Sequence, residues 1–105
     1  MTNKFGLSEE TVGKIYEYFR QNKDIKRVML YGSRAKGTFS VGSDIDFAIW
    51  ADSLISTAKI QDDLNELSTP YHFDVINYQN ITNKNLQKSI DNSGIIFYEH
   101  HNPNK

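Results

Sequence analysis

The spacing of apolar and polar residues changes period along this chain, and the changes predict helices alternating with strands. Leu7-Ser8-Glu9-Glu10 reads as a helix start. Ser8 can cap it, the glutamates suit the positive end of the helix dipole, and Leu7 can staple to Val12. Val12, Ile15, Tyr16 and Phe19 then recur at i, i+3, i+4 and i+7, one apolar stripe that runs out at Asn22 and Asp24. Arg27 to Tyr31 is a short apolar run stopped by Gly32, which predicts a buried strand. Residues 32–42 are rich in Gly, Ser, Thr and basic side chains and predict a loop.

From Asp44 to Trp50 the period is two. Ile45, Phe47 and Ile49 point one way; Asp44, Asp46, Ala48 and Trp50 point the other. Thr57 to Leu67 predicts a second helix with Ile60, Leu64 and Leu67 on one face, broken at Ser68-Thr69-Pro70. Tyr71 to Ile76 predicts a third strand, with Phe73 and Val75 on one face and His72, Asp74 and Ile76 on the other. Leu86 and Ile90 mark a third helix ending near Gly94, Ile95 to Tyr98 predicts a last strand, and 100–105 predicts a frayed tail. Helices alternating with strands imply an α/β architecture, a sheet with helices packed against it.

Composition narrows the chemistry more than the fold. With 105 residues, one domain spanning 1–105 is expected. A net charge of −1 supplies no overall field toward nucleic acid or an acidic membrane, so direct nucleic-acid binding is not expected and any polyanion needs a local site. The chain has no cysteine, which removes disulfides and thiolate metal sites. Neither an apolar leader nor a run of membrane-spanning length is visible, so a cytoplasmic protein is expected.

Three features point to chemistry. Gly32-Ser33 follows a buried strand directly, where glycine permits close backbone approach and successive N–H groups can cradle phosphate. Ser33 adds a hydroxyl, while Arg34 and Lys36 add positive charge. Next, Asp44-Ile45-Asp46 puts two carboxylates on one strand face, with Cα atoms about 6–7 Å apart. Aspartate is depleted in strands and like charges repel, so a hard divalent cation is the natural reason for the pair. The third is Asp74, an acid inside an otherwise apolar strand, which joins the pair if its strand lies beside the second. Each alone has a plainer explanation: a tight turn, a solvated strand end, an exposed edge.

Together they resemble the DNA polymerase β-like nucleotidyltransferase superfamily: Gly32-Ser33, ten intervening residues, Asp44-x-Asp46, then one more acid on a later strand. Gly32-Ser33-Arg34-Ala35-Lys36-Gly37 followed by Gly42-Ser43-Asp44-Ile45-Asp46 is similar to its minimal nucleotidyltransferase (MNT) branch, and the likeness extends from about Lys26 to Glu99. Lys36 stands where the branch often has arginine, keeping the charge but losing the bidentate fork. A P-loop does not fit, because Thr38 and Phe39 follow Gly37 where Lys and Ser or Thr are required.

The resemblance implies a small mixed sheet with helices packed on it, the polymerase β-like fold. It implies two Mg²⁺ ions held by Asp44, Asp46 and Asp74, with Asp74 also a candidate base, and ATP bound through Gly32, Ser33, Arg34, Lys36 and Ser43. It further implies transfer of AMP to a hydroxyl of a HEPN-domain toxin encoded nearby; the alternative is an antitoxin acting by occlusion without turnover. Weaker candidates are His72 as an orienting partner of Asp74, His100 and His101 as metal ligands, and Trp50 and Tyr71 as stacking platforms for a base.

Overall fold

The computed structural model describes residues 5–100. Helix α1 covers Glu9–Gln21, and Ser8 caps it by accepting from Thr11 N at 3.1 Å. Its buried line is Thr11, Ile15 and Phe19; Tyr16, counted with the stripe in the sequence, flanks that line and is 44% exposed. Leu7 and Val12 both join the core cluster.

Four strands follow, β1 (Ile25–Tyr31), β2 (Ile45–Ala51), β3 (Phe73–Asn77) and β4 (Ile95–Glu99), in the spatial order β3-β2-β1-β4. β1 is antiparallel to both β2 and β4. β2 and β3 are parallel because helix α3 (Thr57–Asn65) carries the chain back between them as a βαβ crossover. The sheet is therefore mixed, as expected. Helix α4 (Lys84–Ser93) follows a single 3₁₀ turn at Tyr78–Asn80.

The two sheet faces differ in chemistry. One gathers Val28, Leu30, Ile45, Phe47, Ile49, Phe73 and Val75 with Ile15 and Phe19 of α1 and Ile60 and Leu64 of α3. Phe47 sits at its centre, 5.4 Å edge-on from Phe19 and 6.1 Å stacked from Phe73. On the other face α4 packs on β1, and Ala48 and Ile90 are fully buried there. The rest of that face, at the start of β2 and β3, is the polar row described below. The outer edge of β3 is closed by two amide side chains of α3: Phe73 N donates to Asn65 Oδ1 at 2.8 Å and Val75 N to Gln61 Oε1 at 2.9 Å. A paired edge of this kind cannot accept another strand.

Several boundaries move. The first strand begins two residues earlier than its apolar run, at Ile25, and the third starts at Phe73. α3 stops at Asn65 because the chain turns there, with the Glu66 N–H reaching back to Asp62 O and Asp63 O. Gly94 closes α4 as expected, with an extended backbone at φ −68°. Residues 32–42 are not wholly loop: Ser33–Lys36 forms a helical turn, α2. Gly37 ends it in the left-handed conformation with its N–H on Ser33 O. His100 of the expected tail is tied to the sheet, its N–H donating to Lys26 O at 2.8 Å; 101–105 lie outside the described residues, and His101 with them.

Candidate active site

Strand register builds the site. Tyr31 of β1 stands opposite Asp46 of β2, and Asp46 is in register with Asp74 of β3. One row across three strands thus reads Tyr31, Asp46, Asp74, on the face away from α1 and α3. Asp44 lies just before β2, two residues from Asp46 on the same alternation. Asp44 and Asp74 are exposed and Asp46 is half-buried.

The row is electrostatically strained. Burial first, then the charges of Asp74 and Asp44, push the Asp46 carboxyl up from 3.8 to about 6. Burial first, then the charges of Asp46 and Asp74, push the Tyr31 phenol up to about 12. Both shifts come from burial first and from neighbouring negative charge second, and a cation would relieve the charge. Among the described residues no three acid, histidine or cysteine side chains already converge as a closed ligand set. Mg²⁺ keeps waters and takes one or two carboxylates plus substrate phosphates rather than an all-protein cage. The donors available are hard carboxylate oxygens, the chemistry this ion prefers.

Gly32 is required where β1 turns into α2. Its φ of 77° and ψ of −155° lie in a region essentially reserved for glycine. A Cβ there would stand 2.6 Å from Asp46 Oδ2. The backbone that follows the strand therefore presses against the central carboxylate. Gly32→Ala is expected to cost about 1–3 kcal/mol from backbone strain and to displace the Asp46 carboxylate. A melting temperature matching wild type would contradict this placement.

The basic and hydroxyl candidates divide. Lys36 is exposed at the end of α2. Arg34 is buried: its side chain is 2% exposed. It donates from Nε and Nη2 to Ser43 O at 3.2 and 2.9 Å and from Nη1 to Phe5 O at 2.8 Å. Its guanidinium lies between the rings of Phe39 and Tyr71, 4.9 and 4.8 Å from their centroids. Arg34 therefore ties the loop before Asp44 to the N-terminal segment. Ser43 shares this structural work, since its hydroxyl accepts from Ser40 N at 2.9 Å.

His72 is exposed, and its carbonyl accepts from Ile45 N at 2.9 Å; this backbone bond helps hold the heads of β2 and β3 together. Trp50 is stacked on Tyr78 at 4.4 Å and Tyr71 lies against Arg34, so both rings have partners within the fold. Tyr31 is the member of the row that sequence reasoning missed. Its signal was present: it is the last strand residue before Gly32, and a hairpin-like pairing of the first two strands puts it opposite an acid.

The sequence matches the family described as Polymerase beta, Nucleotidyltransferase over residues 13–102. A search of curated proteins finds no match. Among solved structures, a toxin–antitoxin crystal structure with AMP-PNP superposes with a TM-score of 0.62 at 20% identity, covering 90% of this chain and 75% of the other. A re-refined complex of tri-AMPylated Shewanella oneidensis HEPN toxin with MNT antitoxin gives 0.67 at 16% identity, covering 90% and 74%. A nucleotidyltransferase assigned as such in Sulfolobus solfataricus gives 0.51 at 16%, covering 91% and 80%. At these identities the likeness speaks for the fold, while the family match spans most of the sequence. The chain belongs to the polymerase beta nucleotidyltransferase family.

Proposed function

We propose that this chain is a Mg²⁺-dependent nucleotidyltransferase of the MNT branch that moves AMP from ATP onto a hydroxyl of a HEPN-domain toxin. The observation that carries the reading is the register of Asp46 with Asp74, flanked by Asp44 and by the Gly32 backbone. Two of the similar structures add weight, one a toxin–antitoxin with AMP-PNP and one an AMPylated HEPN toxin with its MNT antitoxin.

Asp44, Asp46 and Asp74 are the residues to hold two metal ions. Bound Mg²⁺ supplies neutralisation of phosphate charge and a lowered pKa for the acceptor hydroxyl. Asp74 accepts the proton of that hydroxyl. The acceptor oxygen bonds to the α-phosphorus, the bond from phosphorus to the bridging oxygen breaks, and its electron pair leaves with pyrophosphate. The Gly32 and Ser33 turn donates to the departing phosphates, and Lys36 offsets their charge. Arg34, buried and bonded to Ser43 O, serves to fix the loop that delivers Asp44.

Because the carboxylates repel a triphosphate until a cation stands between them, ATP binding should depend on the metal. Calorimetry is expected to find ATP binding in Mg²⁺ and much weaker binding in EDTA. Equal affinity in both would overturn the site assignment.

A further inference from the structure

An open surface pocket of about 390 Å³ lies along β3, past Asp74. Ile76, two residues after Asp74 and about 7 Å along the strand, forms part of its wall, with Asn80, Ile81, Thr82, Asn83 and Leu86. Among the described residues no charged side chain lines it. Its walls are pinned by amides: Asn77 Nδ2 donates to Ala51 O and Asp52 O at 3.2 and 3.0 Å. Asn80 Nδ2 donates to Ser53 O and Gln87 Nε2 to Ile81 O, each at 3.2 Å. The pocket is thus open on one side, of ligand size, and part apolar, part neutral polar.

Its side of the sheet says what enters it. Resting on the transfer reading above, the leaving pyrophosphate is held at Gly32 and Ser33, the β1 end of the row. In-line displacement puts the attacking oxygen opposite the leaving one. The sheet order β3-β2-β1 then brings the acceptor in from the β3 side, past Asp74. Strand addition cannot seat it, because Asn65 and Gln61 occupy the β3 edge. We infer that the cavity walled by Ile76, Ile81, Thr82 and Leu86 seats the acceptor-bearing segment of the partner protein. The segment is uncharged where it enters, and its hydroxyl reaches back to Asp74. The nucleotide lies on the other side of the row.

Thr82 is exposed and lies outside the catalytic row, so it can be changed without touching the chemistry. In the complex of the full chain with its partner, Thr82→Trp is expected to keep the wild-type melting temperature and the wild-type affinity for ATP with Mg²⁺. Partner modification, followed by intact mass, is expected to slow about a hundredfold through misplacement of the acceptor. Thr82→Ser should restore the rate. Modification at the wild-type rate in Thr82→Trp would overturn the inference, and so would weakened ATP binding, which would assign the cavity to the nucleotide. A photo-crosslinking variant, Thr82→p-benzoylphenylalanine, gives a reading that does not depend on turnover. Crosslinking to the modified segment supports the seat; crosslinking elsewhere on the partner, or none, overturns it. Should wild type leave the partner unmodified, the transfer reading fails, while the crosslink still reports whether the partner occupies the cavity.

Discussion

Asp46→Asn is expected to reduce Mg²⁺-dependent transfer by more than about a thousandfold while leaving the metal-free protein as stable as wild type or more so. The two effects have one origin. Asp46 is half-buried between Asp44 and Asp74, and its carboxyl is raised from 3.8 to about 6. The folded state therefore binds this proton more tightly than the unfolded chain. The stabilisation is complete below the ordinary value of 3.8 and is lost as pH rises through about 6. At neutral pH the charged form burdens the metal-free fold by about 1–2 kcal/mol after allowing for solvent screening. Asparagine removes that burden, so denaturant melts of the variant should lack the decline that wild type shows between those pH values. An Asp46→Asn protein that fails to fold would make the acid structural and end the catalytic reading.

Arg34→Ala is expected to have the largest effect on stability, about 3–5 kcal/mol. The variant would empty the space between Phe39 and Tyr71 and strip Ser43 O and Phe5 O of their donor. Loss of a buried donor leaves carbonyls to bear their desolvation unaided. Arg34→Lys should recover little, because an ammonium cannot span two carbonyls while stacking between two rings. If Arg34 instead held phosphate, Arg34→Ala would weaken ATP binding with little change in melting temperature, and chemical denaturation beside calorimetry separates the two.

The contrast between Asp74 and Arg34 shows what the sequence carried. Alternation alone put Asp44 and Asp46 on one strand face, because a period of two is a local property of an extended backbone; in the structure β2 begins at Ile45 and Asp44 lies just before it. That Asp74 faces them depends on β2 and β3 being neighbours. Strand order is set by how α3 packs, so it came from resemblance to a family rather than from the pattern. The Arg34 side chain lies beyond any local rule. An arginine beside a Gly-Ser turn reads as a phosphate ligand until the aromatic pair and the carbonyl of Phe5, 29 residues away in sequence, are seen to enclose it. Likewise α2 was read as loop because glycines flank it, although Arg, Ala and Lys within it are good helix formers.

The central claim is that the carboxylate row performs transfer and does not merely accompany a binding surface. Intact-mass analysis of the proposed HEPN partner, co-expressed with wild type and with Asp44→Ala, tests it most directly. The account predicts added nucleotide mass on the partner with wild type. With Asp44→Ala it predicts a partner still bound but unmodified, and toxic to the cells that carry it. Cells protected by Asp44→Ala at normal expression, with no nucleotide on the partner, would contradict the account and leave occlusion without turnover as the means of action.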